Sequence, residues 1–385
     1  MKKSLIALAA LAAVSAASAQ SSVSITGNLD FAASSSTGTA AQTNGKTIAT
    51  STGTSSTSVL RFIAVEDLGG GMKATAQYAF DPRTVANDGA GVTNNGGAST
   101  TTGTLGNTTT ALGRDEMFLG LSGGFGNVRL GSPNSIGLGS HSTSSPLGTG
   151  IGSGYTANGV AATMTNSYVQ TRYNRSARYD SPSIGGFTAS ALYAPGGDEA
   201  AIAAATPATA GANTALTIPN ARKATELGLA YANGPLNIAY AYVAQDAQTN
   251  ATGFYAAAAT STNTAKTSVN MLNASYNLGD TTVYAGMHSG DILKATAAVA
   301  PTATKGYRLA VKHTMGNIDL IGQYTEVSSR AATATVDTTV KITGLRADYN
   351  LGKTAALYLG FENQDTGAAT LNTHKIASIG LRKSF

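Results

Sequence analysis

The sequence predicts an all-β fold, a 16-stranded antiparallel transmembrane β-barrel with short periplasmic turns and long extracellular loops. Three observations predict it. Short segments alternate apolar and polar residues with a period of two. Tight Gly/Asn turns alternate with long polar stretches. Beyond residue 19, no apolar run approaches the ~18 residues that a spanning helix needs, although mean hydropathy is close to zero.

The first residues read as an export address. Lys2 and Lys3 form a basic start, Ser4 to Val14 an apolar stretch, and Ala17-Ser18-Ala19 a small-residue cleavage site. That order is a secretory signal peptide, too short to span a bilayer. Residues 1–19 are therefore expected to be removed, leaving 20–385 as one barrel domain.

The alternation is clearest in Met72 to Phe80. Met72, Ala74, Ala76, Tyr78 and Phe80 share one phase, and Lys73, Thr75, Gln77 and Ala79 the other. Leu60-Phe62-Ala64, Leu236-Ile238-Tyr240-Tyr242, Ile318-Leu320-Gly322-Tyr324 and Leu357-Leu359-Phe361 repeat it. Alternate side chains on a strand point to opposite faces, so one set meets lipid and the other water. Backbone groups cannot stay unpaired in hydrocarbon, so such a sheet must close.

Turns punctuate the strands at 66–71, 122–126, 181–186, 232–235, 277–280, 315–317 and 350–353. Long polar stretches fill Ala33 to Thr57, Pro82 to Gly113, Ser132 to Asn166 and Pro195 to Ala221, with shorter ones near 250, 295, 330 and 367. Seven short turns and eight long loops join sixteen strands. An even strand count with unequal ends is what a bacterial barrel needs.

Composition excludes several classes. Charged residues are 12% of the chain, against a usual ~25%. There is no cysteine, so a disulfide-stapled secreted domain is out. Without Lys2 and Lys3, 23 basic residues (25 less 2) face 20 acidic ones. A net +3 with no basic helix gives no nucleic-acid reader. His141, His288, His313 and His374 have no histidine or cysteine partner at i+2 to i+4, so neither metal nor cofactor is expected. No glycine-rich phosphate loop opens a helix, and the serines around His141 form no strand-turn-helix elbow, so no enzymatic activity is expected.

Tyr231, Tyr276 and Tyr349 each stand just before a short turn, in the apolar phase. An apolar ring with a polar tip suits a headgroup belt. The sequence stops on Phe385, with Lys383, Leu381, Ile379 and Ala377 preceding it at every second position.

Ordered segments then carry a resemblance. Glu66-Asp67-Leu68-Gly69-Gly70-Gly71-Met72-Lys73-Ala74, Gly120-Leu121-Ser122-Gly123-Gly124-Phe125-Gly126 and Asn174 to Phe187 resemble turn segments of the Gram-negative general diffusion porins of betaproteobacterial type. Gly380-Leu381-Arg382-Lys383-Ser384-Phe385 is similar to that family's C-terminal assembly signal. The resemblance covers the whole mature chain. It implies an outer-membrane, water-filled channel for small ions and hydrophilic solutes, and a homotrimer. Lipid, lipopolysaccharide and the barrel assembly machinery, which reads the last strand, are its implied partners. It also implies a third loop, here 132–166, folded inward to constrict the pore.

A charge on the lipid face costs ~2–4 kcal/mol near the midplane, so strand arginines should face the lumen. Arg61, Arg129, Arg308, Arg346 and Arg382 each oppose apolar neighbours, and Arg114, Arg172 and Arg178 are expected beside them. Arg175 breaks phase and is expected at a rim or a subunit contact. From Met117 to Tyr179 there is no Asp or Glu, so these arginines are expected to lack nearby carboxylates and to favour anions. The competing expectation pairs them with wall acids such as Asp30 or Asp348. The family's basic residues are absent at Val59, Ile63, Ser132 and Pro133. The alternatives are a solute-specific channel for organic anions or phosphate, and a structural or adhesive surface barrel.

Overall fold

The computed structural model describes residues 21–38, 45–49, 54–81, 113–153, 171–195, 223–246, 266–292, 302–330, 337–365 and 374–385. The expected export signal and residues 154–166 of the expected constriction loop lie outside them.

The strands are β1 (Ser22–Gly38), β2 (Gly45–Ala49), β3 (Val59–Gly69), β4 (Met72–Asp81), β5 (Gly113–Gly123), β6 (Gly126–Ser132), β7 (Ser176–Asp180), β8 (Phe187–Pro195) and β9 (Lys223–Asn233). They continue with β10 (Leu236–Asp246), β11 (Lys266–Asn277), β12 (Thr281–Ile292), β13 (Thr302–Met315), β14 (Ile318–Arg330), β15 (Thr338–Asn350), β16 (Ala355–Asp365) and β17 (His374–Ser384). Among the described residues, one helix, α1 (Ile136–Ser144), lies between β6 and β7.

Neighbouring strands pair antiparallel, and β17 pairs back onto β1 from Asn28↔Ser384 to Gly38↔His374. β2 and β3 share one edge of β1: Ala49 faces Ala32, and Val59 faces Asn28. The 17 strands therefore make 16 staves of a closed cylinder. Closure leaves no unpaired edge in hydrocarbon.

Burial follows the period. On β17, His374, Ile376, Ser378 and Gly380 are buried inward, while Lys375, Ala377, Ile379 and Leu381 are exposed outward. The short turns fall where Gly and Asn mark them. At Gly69-Gly70-Gly71, φ is 79°, 60° and 79°, a region that a Cβ disfavours.

Two segments differ from expectation. Residues 33–38 continue β1 instead of opening a loop. Ser34 and Ser36 face inward, Ala33 and Ser35 outward. Both faces carry small residues, so the period is silent there, and the ladder to β17 sets the strand. The second difference is α1, inside a stretch that reads as irregular.

α1 lies inside the barrel against β9 to β12. Ile136 and Tyr173, both from the β6–β7 connection, join Leu192, Ala224, Val243, Val269 and Met271 in a buried apolar cluster. That side of the lumen is filled with side chains.

Candidate functional site

The described part of the inward loop is fixed to the wall along its length. A nine-residue helix is marginal alone, so tertiary anchors build α1. Ser135 caps it, accepting from Leu138 N at 2.9 Å. The Glu226 carboxylate of β9 accepts from the backbone amides of Ile136 and Gly137. A carboxylate at this end complements the helix dipole. Asn273 of β11 donates to Ser140 Oγ at 2.8 Å and accepts from Ser144 Oγ at 2.7 Å.

Arg308 of β13 is buried beneath α1. Its Nη1 lies 3.3 Å from Ser144 Oγ and 3.1 Å from His141 Nδ1. A guanidinium only donates, so His141 Nδ1 accepts and the proton sits on Nε2, 3.4 Å from Gly148 O. Burial, and then the Arg308 charge, hold the His141 imidazole well below its ordinary pKa.

After α1 the loop crosses later strands. Ser145 Oγ donates to Gln323 at 3.1 Å, and Gln323 Nε2 donates to Ser153 O at 3.2 Å. Gly152 N donates to Glu362 at 2.7 Å. The wall is cut to backbone there: a Cβ on Gly360 would stand 2.5 Å from Ile151 Cγ2.

A second inward segment meets the loop tip. Thr54 to Ser58, between β2 and β3, turn into the lumen over Asp30. The Asp30 carboxylate accepts from Ser55 Oγ (2.7 Å), Ser56 N (2.8 Å), Ser56 Oγ (3.0 Å) and the Tyr358 hydroxyl. The Tyr358 ring of β16 lies across Gly380 of β17 to reach β1, and a Cβ at 380 would stand 2.1 Å from it.

The opposite wall, β3 to β7, carries the open charges. Arg129 pairs with Glu116 (3.3 Å) and with Asp180, and stacks on Phe118 with 5.5 Å to the ring centroid. Arg172 pairs with Asp115 at 3.0 Å, and Arg178 with Asp180 at 2.8 Å. Arg346 pairs with Asp348 at 2.8 Å and donates to Ser55 O. Arg382 bonds Ser55 Oγ and lies 3.9 Å from Asp348. Arg61 is half-buried and has no ion-pair partner among the described residues. The backbone of Arg114 pairs with Phe80; its side chain lies outside the described residues.

The expectation that the wall arginines lack carboxylates is corrected. The acid-free interval is bracketed by Asp115-Glu116 and Asp180, and antiparallel pairing brings those brackets to Arg129, Arg172 and Arg178. A β-bulge makes this possible. Only Ala79 separates Tyr78 from Phe80 on β4, but Asp115 and Glu116 separate Arg114 from Met117 on β5. Two residues opposing one leave both acids able to turn inward. Arg175 breaks phase because it precedes β7: it is exposed, in a turn, with φ 57°.

Glu226, Glu362 and Asp30 escaped the sequence reading as loop anchors. The available signal was a lone carboxylate in the inward phase among small residues, such as Glu226 between Ala224 and Gly228. Outward, Tyr231 packs on Phe187 with centroids 4.5 Å apart, and Tyr276 and Tyr349 are exposed. At the last strand, Phe385 N donates to Gly27 O (3.0 Å) and Gly27 N to Phe385 O (2.9 Å).

A comparison with curated proteins found no match. Solved structures do match. An anion-selective porin from Comamonas acidovorans is 23% identical, with 95% of this chain and 100% of that chain covered and a TM-score of 0.68. In-vitro folded OmpT of Vibrio cholerae, in its trimer form, is 13% identical, covering 95% and 99%, with a TM-score of 0.62. Salmonella typhi OmpF in complex with daunomycin is 11% identical, covering 96% and 98%, with a TM-score of 0.61. Residues 7–369 match the family described as Gram-negative porin. A sealed cylinder, apolar outside and narrowed by its own loop, has the geometry of a diffusion channel. With that match over nearly its whole length, the chain belongs to the Gram-negative porins of the outer membrane.

Proposed function

We propose that this channel passes small hydrophilic solutes with a mild preference for anions, and that it works as a homotrimer. Arg61 carries the anion reading. On the wall from β3 to β7, Arg61, Arg129, Arg172 and Arg178 face Asp115, Glu116 and Asp180. The three carboxylates offset the three paired arginines and leave the charge of Arg61 over. An uncompensated cation on the low-dielectric wall of a water-filled bore attracts anions. The name of the Comamonas acidovorans porin supports the same sign. The lining set is Arg61, Arg129, Arg172, Arg178 and Arg382, with Arg308 and Arg346 beneath the inward segments.

An apolar hollow on the outer surface, lined by Val23, Phe62, Ala64, Ala76, Leu119 and Leu130, supports a subunit contact across β1 and β3 to β6. Residues 1–19 serve as an export signal, and the last strand is read by the assembly machinery. Lipopolysaccharide surrounds the outer rim. The protein performs no chemical step.

The test is the reversal potential across a planar bilayer in a salt gradient. A potential on the anion side is expected, and a cation-side value rejects the preference. Saturable block of the current by one organic anion would instead favour a solute-specific channel. Chemical cross-linking in detergent should stop at three subunits.

A further inference from the structure

Residues 54–58 have no part in closing the barrel, yet they are among its most heavily bonded residues. On β1, three residues (Leu29, Asp30 and Phe31) separate Asn28, opposite Val59, from Ala32, opposite Ala49. The second stave uses nine residues, 50–58, over the same rise. Six are surplus to continuity. The described part of the surplus, Thr54-Ser55-Ser56-Thr57-Ser58, goes inward, and every side chain in it carries a hydroxyl.

Asp30 holds this segment from below through Ser55 and Ser56, and the Asp30 amide donates to Ser58 Oγ at 3.0 Å. Asn28 Nδ2 donates to Thr57 O at 2.8 Å. From the side, Arg346 and Arg382 donate to Ser55 O and Oγ. Thr54, Ser55 and Ser58 are buried, while Ser56 and Thr57 are half-exposed.

The tip of the inward loop rests on the upper side. Ile151 N donates to Thr54 O at 2.8 Å. The Thr57 and Thr149 hydroxyls are 3.2 Å apart. Gly150 lies so close to Ser55 that a Cβ there would stand 2.2 Å from the Ser55 carbonyl oxygen. The tip is thus held on two sides, by β15 and β16 at Gly152 and by this segment at 149–151.

We propose that residues 54–58 form a second constriction element, a hydroxyl clamp that seats the tip of the inward loop and fixes the size limit of the pore. A loop end held on one side only would sample positions across the bore. Held on both sides it presents a constant aperture, bordered by neutral hydroxyls where Arg346 would otherwise stand. Such a border suits uncharged polar solutes and binds none of them strongly.

The inference rests on the channel function, so the unaltered protein is recorded beside each variant. Replacing residues 50–58 by three strand residues, valine-serine-valine, keeps the inward and outward phase and gives an unbroken stave. Single-channel conductance should rise by about 1.5-fold or more, because a constriction sets the resistance of a pore. Liposome swelling should admit larger sugars than the unaltered protein does. In a second variant, Thr57→Cys with Thr149→Cys, oxidation should join the two cysteines in the folded barrel and leave conductance unchanged. Equal conductance and equal sugar cutoff in the replaced barrel overturn the clamp. So does failure of the cysteine pair to join, and that result decides alone if the replaced barrel does not fold. An unaltered protein that carries no current counts against the channel itself, whereas equal currents count only against the clamp.

Discussion

Gly344 of β15 and Gly152 of the inward loop meet backbone to backbone: a Cβ on Gly344 would stand 2.0 Å from the Gly152 carbonyl oxygen. Backbone cannot yield as a flexible side chain can. Gly344→Val should therefore push the loop tip toward the bore. Overpacking of this kind costs ~1–3 kcal/mol, which a closed barrel tolerates. The expected result is a folded, heat-resistant protein with lower and noisier single-channel conductance. A trace identical to the unaltered one would show that the tip is not pressed on β15.

Glu226 holds the start of α1. Hydrogen bonds to a charged group are worth ~1.5–3 kcal/mol each, and a carboxylate near a helix N-terminus adds ~0.3–2 kcal/mol. Glu226→Gln keeps the shape and removes the charge. Amide hydrogen exchange at residues 136–144 should accelerate at least tenfold, a change of ~1.4 kcal/mol, while the barrel strands keep their protection. Equal exchange in both proteins contradicts the anchoring role.

The lumenal charges make opposed predictions. Arg61→Gln removes the cation that has no partner, so the reversal potential should move toward cations. Asp115→Asn releases Arg172 from its ion pair, so the potential should move toward anions. Both are read in the same salt gradient. Shifts of the same sign, or none, would show that these side chains do not face the permeating ions.

Acid should loosen the inward loop through His141. Docked, its imidazole is held below its ordinary value, first by burial and then by Arg308. Undocked, it titrates near 6.5. In the interval between the two values the undocked state binds the extra proton, so docking weakens as pH falls below about 6.5. The loss is at most ~1.4 kcal/mol per pH unit for one group. Above pH 7 the imidazole is neutral in both states and contributes no slope. Gating noise should grow from pH 7 to pH 5 in the unaltered channel, and His141→Gln should flatten that dependence. Equal pH dependence in the two rejects the assignment.

The cylinder was legible because lipid and water impose opposite demands on neighbouring residues. Met72 to Phe80 and Ala377 to Lys383 show the period, and the Gly/Asn turns show where it stops. Ser34 to Thr37 hid their strand because both faces are small. Asp115 and Glu116 defeated phase counting because a bulge sets two consecutive residues against one. The helix over Ile136–Ser144 has no periodic apolar face to announce it, since Glu226, Asn273 and Arg308, far along the sequence, hold it in place. Arg308 reads as an inward arginine from its neighbours. Only the folded loop reveals that it lies beneath a helix.

The ring of Tyr358 crosses Gly380 to reach Asp30, so three strands contribute to one joint. Those strands include the first and the last of the sheet, which pair with each other at the closing seam. The joint cannot exist until β1 and β17 have been zipped together. During biogenesis, then, the wall must be sealed before the bore can be throttled. A chain stalled one strand short would be a wide, unfinished gutter, unable to sieve what passes through it.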